Sequence, residues 1–176
     1  SDQLSRVDGG TGFDTISFSG SDISFDLSDV ANQAAVNQTG SSRLNSIEAF
    51  DLTGLGNNTL TLELRALRDL TGFNWLNSAT ASDLGFSNGS YTLGAQESAR
   101  QLLVQGNSGD ELIVTNGAWS DQGTISDGSN TYTVHASSGG LEQLIVDTDV
   151  SVDFAPTLTI SDDTSGTAAG DVSFSF

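Results

Sequence analysis

The chain's 176 residues carry 23 acidic against 5 basic side chains, a formal charge of −18, with no cysteine and 36% hydrophobic residues. A core of single-domain size is within reach of that length, while so negative a surface excludes nucleic acid and anionic membrane as partners and calls for salt or bound cations to relieve its self-repulsion. Without cysteine there are no disulfides, no thiolate chemistry and no cysteine-built zinc site, which leaves metal ions as the available cross-links. All 5 cations are arginine, and aspartate outnumbers glutamate 18 to 5, a bias that suits short-armed ligands in turns better than helix faces. No stretch comes near the roughly 20 apolar residues of a membrane span, so no membrane insertion is expected. With neither an initiator Met nor a leader's apolar run, the chain reads as a segment of a longer protein.

From the N-terminus the first signal is Gly9 to Ser17, GGTGFDTIS, a full match to the calcium-binding nonapeptide G-G-x-G-x-D-x-U-x. Its glycines let the backbone turn sharply enough to aim carbonyl oxygens inward, Asp14 adds a charged oxygen, and Ile16 begins a strand that locks the loop. In a tandem array each ion is shared between successive turns. Here the full nonapeptide occurs once, which excludes a complete β-roll. Weak extracellular modules bind calcium at about 0.1 to 1 mM, so a secreted or cell-surface setting follows from the calcium reading.

Beyond the nonapeptide one pattern recurs four times: a short alternating run, a tight polar loop, and a second alternating run. The loops are Ser19 to Asp22, Gly54 to Asn58, Gly106 to Asp110 and Asp147 to Asp149. Their flanking runs are Thr15 to Phe18 with Ile23 to Leu27, Ile47 to Leu52 with Thr59 to Leu64, Leu102 to Gln105 with Glu111 to Thr115, and Leu144 to Val146 with Val150 to Phe154. Period-two alternation marks half-buried strands. Two helices are predicted: Ser28 capping Asp29 to Ala35, and Leu62 to Leu70, with leucines at 64, 67 and 70 on one side and Arg65 and Arg68 opposite, placed to pair with nearby acids. From Thr71 to Gly94 the alternation stops in a polar segment holding Phe73, Trp75, Phe86 and Tyr91, longer than most connections in compact domains. It is the first place to look for a binding surface, with Trp75, Tyr91 and Asp83 as candidate ligand-binding residues. Trp119 is read as core, and the lone His135, in an alternating run, as structural.

The fold class is therefore all-β dominated, either an irregular calcium-stapled β-sandwich or a short β-solenoid-like domain, with one or two short helices. Loops about 34, 52 and 41 residues apart argue against a regular solenoid and for an elaborated single domain. Three carboxylates, Asp147, Asp149 and Asp153, lie just ahead of Pro156, the only proline. They are candidate ligands for a linker calcium that stiffens the joint with whatever follows. In the third loop Asn107 and Asp110 are candidate metal ligands, although G-N-S-G-D is also a good turn. Residues 1–154 read as one module, and 155–176 as a linker and the opening strands of another.

The nonapeptide, GLGNNTLTLEL from Gly54, LLVQGNSGDELIV from Leu102 and LIVDTDVSV from Leu144 follow one another in order. With these motifs aligned, residues 6–154 resemble a module of giant bacterial repeats-in-toxin adhesins, and the tail from Ala155 resembles the start of the bacterial immunoglobulin-like repeats of the same proteins. The resemblance implies secretion from Gram-negative bacteria and adjacent immunoglobulin-like repeats stiffened by Ca2+. It also implies a distal module that binds a peptide or glycan on a host or neighbouring cell surface, with a peptide C-terminus favoured. On the motif it makes Gly9, Thr11 and Asp14 calcium ligands, the first two through carbonyls, with Asp8 as neighbour. The absent second repeat requires partner oxygens from elsewhere, from Asn107 and Asp110 or from Asp26 and Asp29. Passive spacing along the adhesin is the alternative. No enzyme is expected, because acyl-transfer and zinc motifs are missing and there is a single histidine; abundant acids leave only a carboxylate-pair glycosidase or a polysaccharide lyase to consider.

Overall fold

A computed structural model describes residues 6–30 and 43–155. Among the described residues the strands are, in chain order, β1 (Val7–Asp8), β2 (Thr15–Ser17), β3 (Ser24–Asp26), β4 (Leu44–Asn45), β5 (Ala49–Asp51), β6 (Thr59–Leu62), β7 (Ser87–Asn88), β8 (Arg100–Gln105), β9 (Glu111–Val114), β10 (Trp119–Ser126), β11 (Thr131–Ser137), β12 (Glu142–Asp147) and β13 (Ser151–Phe154), with one α-helix, α1 (Leu64–Leu70). The protein is β-rich, as its alternation requires. All eight predicted alternating runs coincide with strands: β2, β3, β5, β6, β8, β9, β12 and β13.

The two strands flanking each polar loop do not pair with each other. β2, β5, β8 and β12 lie side by side in parallel within a seven-stranded sheet of order β2-β5-β8-β12-β11-β10-β7, while β3, β6, β9 and β13 form a separate, all-parallel four-stranded sheet. A hairpin would have made the flanking strands antiparallel neighbours. Instead the chain passes four times from one sheet to the other, each passage stacking in register on the last. Ile16, Phe50, Val104 and Val146 form one column, and Phe25, Leu60, Leu112 and Val152 form the facing one. Both columns belong to one core. The uneven loop spacing does not disturb this stacking, because the extra residues leave the stack as excursions between passages.

Period two then sorts the seven-stranded sheet's side chains. Leu102, Val104, Leu144 and Val146 face the four-stranded sheet, whereas Ala49, Leu103 and Ile145 face outward into a second core. That outer face is covered by the 71–99 excursion, through Trp75, Leu76, Ala81, Phe86 and Leu93, and by Ile125, Tyr132 and Val134 of the β10–β11 hairpin. Every residue of β12 is consequently buried, as expected of a strand covered on both faces.

Stacking makes the polar loops lie on one another. The Asn58 side chain accepts the Ile23 N–H at 2.9 Å and donates to the Leu52 carbonyl at 2.9 Å. Asp110, fully buried, accepts the N–H groups of Asn58 and Asn107, each at 2.8 Å. Gly56 and Gly109 adopt φ of +76° and +105°, and a Cβ on either would strike the loop stacked beside it.

The helix at 64–70 buries Ala66, Leu67 and Leu70 as its leucine spacing requires, and Asp69 with them. The other expected helix is replaced, over its described part, by a single 3-10 turn at Leu27–Asp29 capped by Asp26 rather than Ser28. Residues 31–35 of that helix, and the immunoglobulin-like opening beyond Ala155, lie outside the described residues. Trp119 is half-buried and stacks on Phe154 at 6.1 Å between ring centres, and His135 meets the same ring edge-on at 5.0 Å. Burial holds the His135 imidazole below its ordinary value. Both therefore have the structural roles their surroundings in the sequence indicated.

Candidate functional site

The nonapeptide is a bulge between two parallel strand pairs. β1 pairs with β4, placing Asp8 beside Asn45, and β2 pairs with β5, placing Thr15 beside Ala49. Seven positions thus separate Asp8 from Thr15, against four from Asn45 to Ala49. The three extra residues push the glycine-rich loop outward. Gly9 donates to the Asn45 carbonyl at 3.0 Å, and a Cβ at Gly9 would collide with the Ser46 carbonyl and the Asp14 side chain. Only glycine fits there.

Register also explains what faces Asp14. Because Thr15 pairs with Ala49, Asp14 and Glu48 occupy equivalent places in successive passages. The Asp14 N–H donates to Glu48 Oε2 at 2.9 Å, and the Asp14 carbonyl accepts the N–H groups of Glu48 and Ala49 at 3.0 and 3.1 Å. Asp14 Oδ2 is buried without a hydrogen-bond partner among the described residues. Burial pushes the Glu48 carboxyl above the usual carboxylate range, the Asp14 N–H opposes that, and the neighbouring Asp14 charge adds to it. Two acids sharing a buried corner, one with an unspent oxygen, suit a cation. Among the described residues no three His, Cys, Asp or Glu side chains gather as a metal site, so any ion here would draw its remaining ligands from carbonyls, as glycine-rich calcium loops do.

The other predicted metal ligands lie elsewhere. Asp8 is exposed, paired with Arg6 at 2.8 Å, and accepts the Gly10 N–H at 3.1 Å. Thr11 is exposed. Asn107 and Asp110 follow β8, whereas the nonapeptide's glycine loop precedes β2, so parallel register sets them at opposite ends of the sheet. They do not supply the nonapeptide's missing oxygens; the Asp110 carboxylate is spent on backbone N–H groups of the stacked turns. Asp26 caps the 3-10 turn through the Ser28 N–H, and Asp29 is exposed. Asp147 is buried in the fourth loop and accepts the Asp149 N–H at 3.1 Å. Burial pushes its carboxyl up, the Asp149 N–H opposes that, and the charges of Asp149 and Asp127 reinforce it. Asp149 and Asp153 are exposed.

The aromatic segment comes to the nonapeptide. Phe13, from inside the calcium motif, meets Trp75 edge-on at 4.8 Å, and the two rings line a pocket of about 290 Å³ with Gly12, Thr80, Asp83 and Leu84. Trp75 is fixed by its indole N–H on the Gln101 carbonyl at 2.7 Å, while the Gln101 amide clasps Leu76 through both its N–H and its carbonyl at 2.9 Å. The structure thus unites Trp75 and Asp83 with the loop and directs Tyr91 away. Its hydroxyl donates to Glu97 at 2.9 Å and accepts from Gln143 at 3.1 Å. Burial, then Glu97, pushes the Tyr91 phenol up. Tyr91 anchors the excursion to the sheet.

A second, polar cleft of about 440 Å³ opens on the loop's other side, lined by Gly10, Ser46 and Glu48 on one wall and by Asp69, Thr71, Phe73 and Arg100 on the other. Glu48, Asp69 and Arg100 in this cleft, and Phe13 in the apolar pocket, were invisible as site residues in the sequence, since parallel register and the placement of α1 alone bring them to their sites. The one signal was an acid inside an apolar run, at Glu48 in Ile47 to Leu52. Comparison with protein-family models, curated proteins and solved structures finds no match.

Proposed function

We propose that this chain is a calcium-dependent ligand-binding module of a secreted bacterial surface adhesin, built as a short β-solenoid of four coils with one aromatic excursion. The four parallel passages support the solenoid reading. Phe13 carries the functional one: it lies between the motif positions Thr11 and Asp14 and forms a wall of the apolar pocket against Trp75. An ion held by Asp14, with the carbonyls of Gly9 and Thr11 and with Glu48 beside them, would neutralise the buried acids and fix the loop. Fixing the loop fixes Phe13, and with it the pocket. The favoured ligand is a peptide C-terminus, its apolar side chain seated between Phe13 and Trp75 and its carboxylate attracted by the cation, which a chain of charge −18 could not otherwise attract.

The test is a peptide array read in calcium and in chelator, followed by titration of the hits while Trp75 fluorescence is monitored. The reading requires binding to free C-termini that chelator removes and that Asp14→Asn weakens at least tenfold. Binding indifferent to calcium, or silence across peptides and glycans alike, would leave the chain as a spacer.

A further inference from the structure

We propose that the polar cleft between the end of α1 and the starts of β5 and β8 binds a small zwitterion of the α-amino acid class, its ammonium on Asp69 and its carboxylate on Arg100. Asp69 is 8% exposed, sits on the packing face of α1 among Ala66, Leu67 and Leu70, and leaves Oδ1 buried with no hydrogen-bond partner among the described residues. A leucine there would serve packing better. In the same cleft Arg100 donates one guanidinium nitrogen to the Thr71 carbonyl and lies 4.5 Å above the Phe73 ring, which fixes its plane. Its other guanidinium nitrogens make no hydrogen bond among the described residues.

Asp69 and Arg100 feel each other's charge, and Arg100 feels that of Glu142 as well, yet the two side chains do not meet. Neither Arg100 nor Arg65 forms an ion pair with Asp69 among the described residues. Among the described residues an acceptor and a donor of opposite charge thus both keep hydrogen-bonding atoms free in one cleft of about 440 Å³, within the size range of small-molecule sites and many times the roughly 30 Å³ share of a water. A bare metal ion would bring no acceptor to the free guanidinium N–H groups of Arg100, and a neutral saccharide would bring a charge to neither group. A zwitterion answers both, with charge-assisted hydrogen bonds at each end, and Phe73, 55% exposed at the rim, offers its side chain an apolar contact.

Titration calorimetry on the whole chain in calcium buffer, using the standard amino acids singly, tests this. The matched probes are N-acetyl and methyl-ester forms of the best binder, methylamine, acetate and glucose. One saturable site is expected for a free amino acid, weakened at least tenfold when either charge is masked and lost in Asp69→Asn. That variant's melting temperature should equal or exceed the parent's, since it relieves an unpartnered buried carboxylate, so lost binding cannot be ascribed to misfolding. No saturable heat from any amino acid overturns the inference, as do equal affinity for the ester or for methylamine, undiminished binding in Asp69→Asn, or preference for glucose. Amino-acid binding that persists in chelator leaves it standing, since neither Asp69 nor Arg100 is a proposed calcium ligand, while loss of calcium-dependent peptide capture alone removes the calcium reading. Calcium-dependent peptide capture without amino-acid binding removes it alone.

Discussion

Two corners of the same stack treat polar groups in opposite ways. Where the polar loops stack, every buried polar side chain is spent: Asp110 on two backbone N–H groups, Asn58 on an N–H and a carbonyl. At the nonapeptide corner two carboxylate oxygens, Asp14 Oδ2 and Asp69 Oδ1, are buried and have no hydrogen-bond partner among the described residues. Since buried polar groups are ordinarily satisfied, the first corner is the frame, and the second is where bonds remain to be made with something else.

The largest effect should therefore come from breaking the closed corner. Asp110→Ala strands two N–H groups, one of them on buried Asn58, at about 1–3 kcal/mol each, and urea melts should show a loss of about 2–5 kcal/mol with or without calcium. A loss under about 1 kcal/mol would mean the turns do not depend on this carboxylate. The open corner should respond to the ion instead. Calcium at about a hundred times its dissociation constant should stabilise the parent by roughly 2.7 kcal/mol, read as a melting shift against chelator. Asp14→Asn should abolish that shift and Asp110→Asn preserve it; equal shifts in both variants would erase the distinction drawn here.

A smaller effect concerns Tyr132, fully buried and donating to Asp127 at 2.7 Å. Burial pushes its phenol up to about 12. Below about 10, the unfolded value, both states hold the proton and the stability is intact. Between about 10 and 12 only the folded state still holds it, so stability falls as pH rises, by on the order of 1–2 kcal/mol. Tyr132→Phe should flatten the alkaline limb of a denaturation series; an unchanged slope assigns it to another group. The smallest effect is at Phe13→Ala, which removes an aromatic contact worth about 0.5–1.5 kcal/mol. It should move Trp75 emission in calcium more than it moves the melt, and an unaltered spectrum would separate the loop from the pocket.

The eight runs that became strands were legible because period two is a local property, written wherever one face is buried. The leucine spacing of α1 was legible for the same reason at period 3.6. Partners were not. Glu48 looked like an acid inside a strand, and nothing near it in sequence names Asp14; Tyr91 and Trp75 stood in similar polar surroundings, yet one ring entered a buried network and the other a pocket.

By itself the sequence determined the alternation, the glycines that permit the nonapeptide turn, the shortage of cations and the absence of disulfides, all consequences of backbone sterics and side-chain chemistry along a local stretch. Only the tertiary structure decided that the loops stack in parallel instead of closing hairpins, that Asp14 meets Glu48, and that Asp69 and Arg100 share a cleft without pairing. Those facts follow from register between strands separated by tens of residues, where the free energy lies in columns such as Ile16, Phe50, Val104 and Val146 that no local window contains.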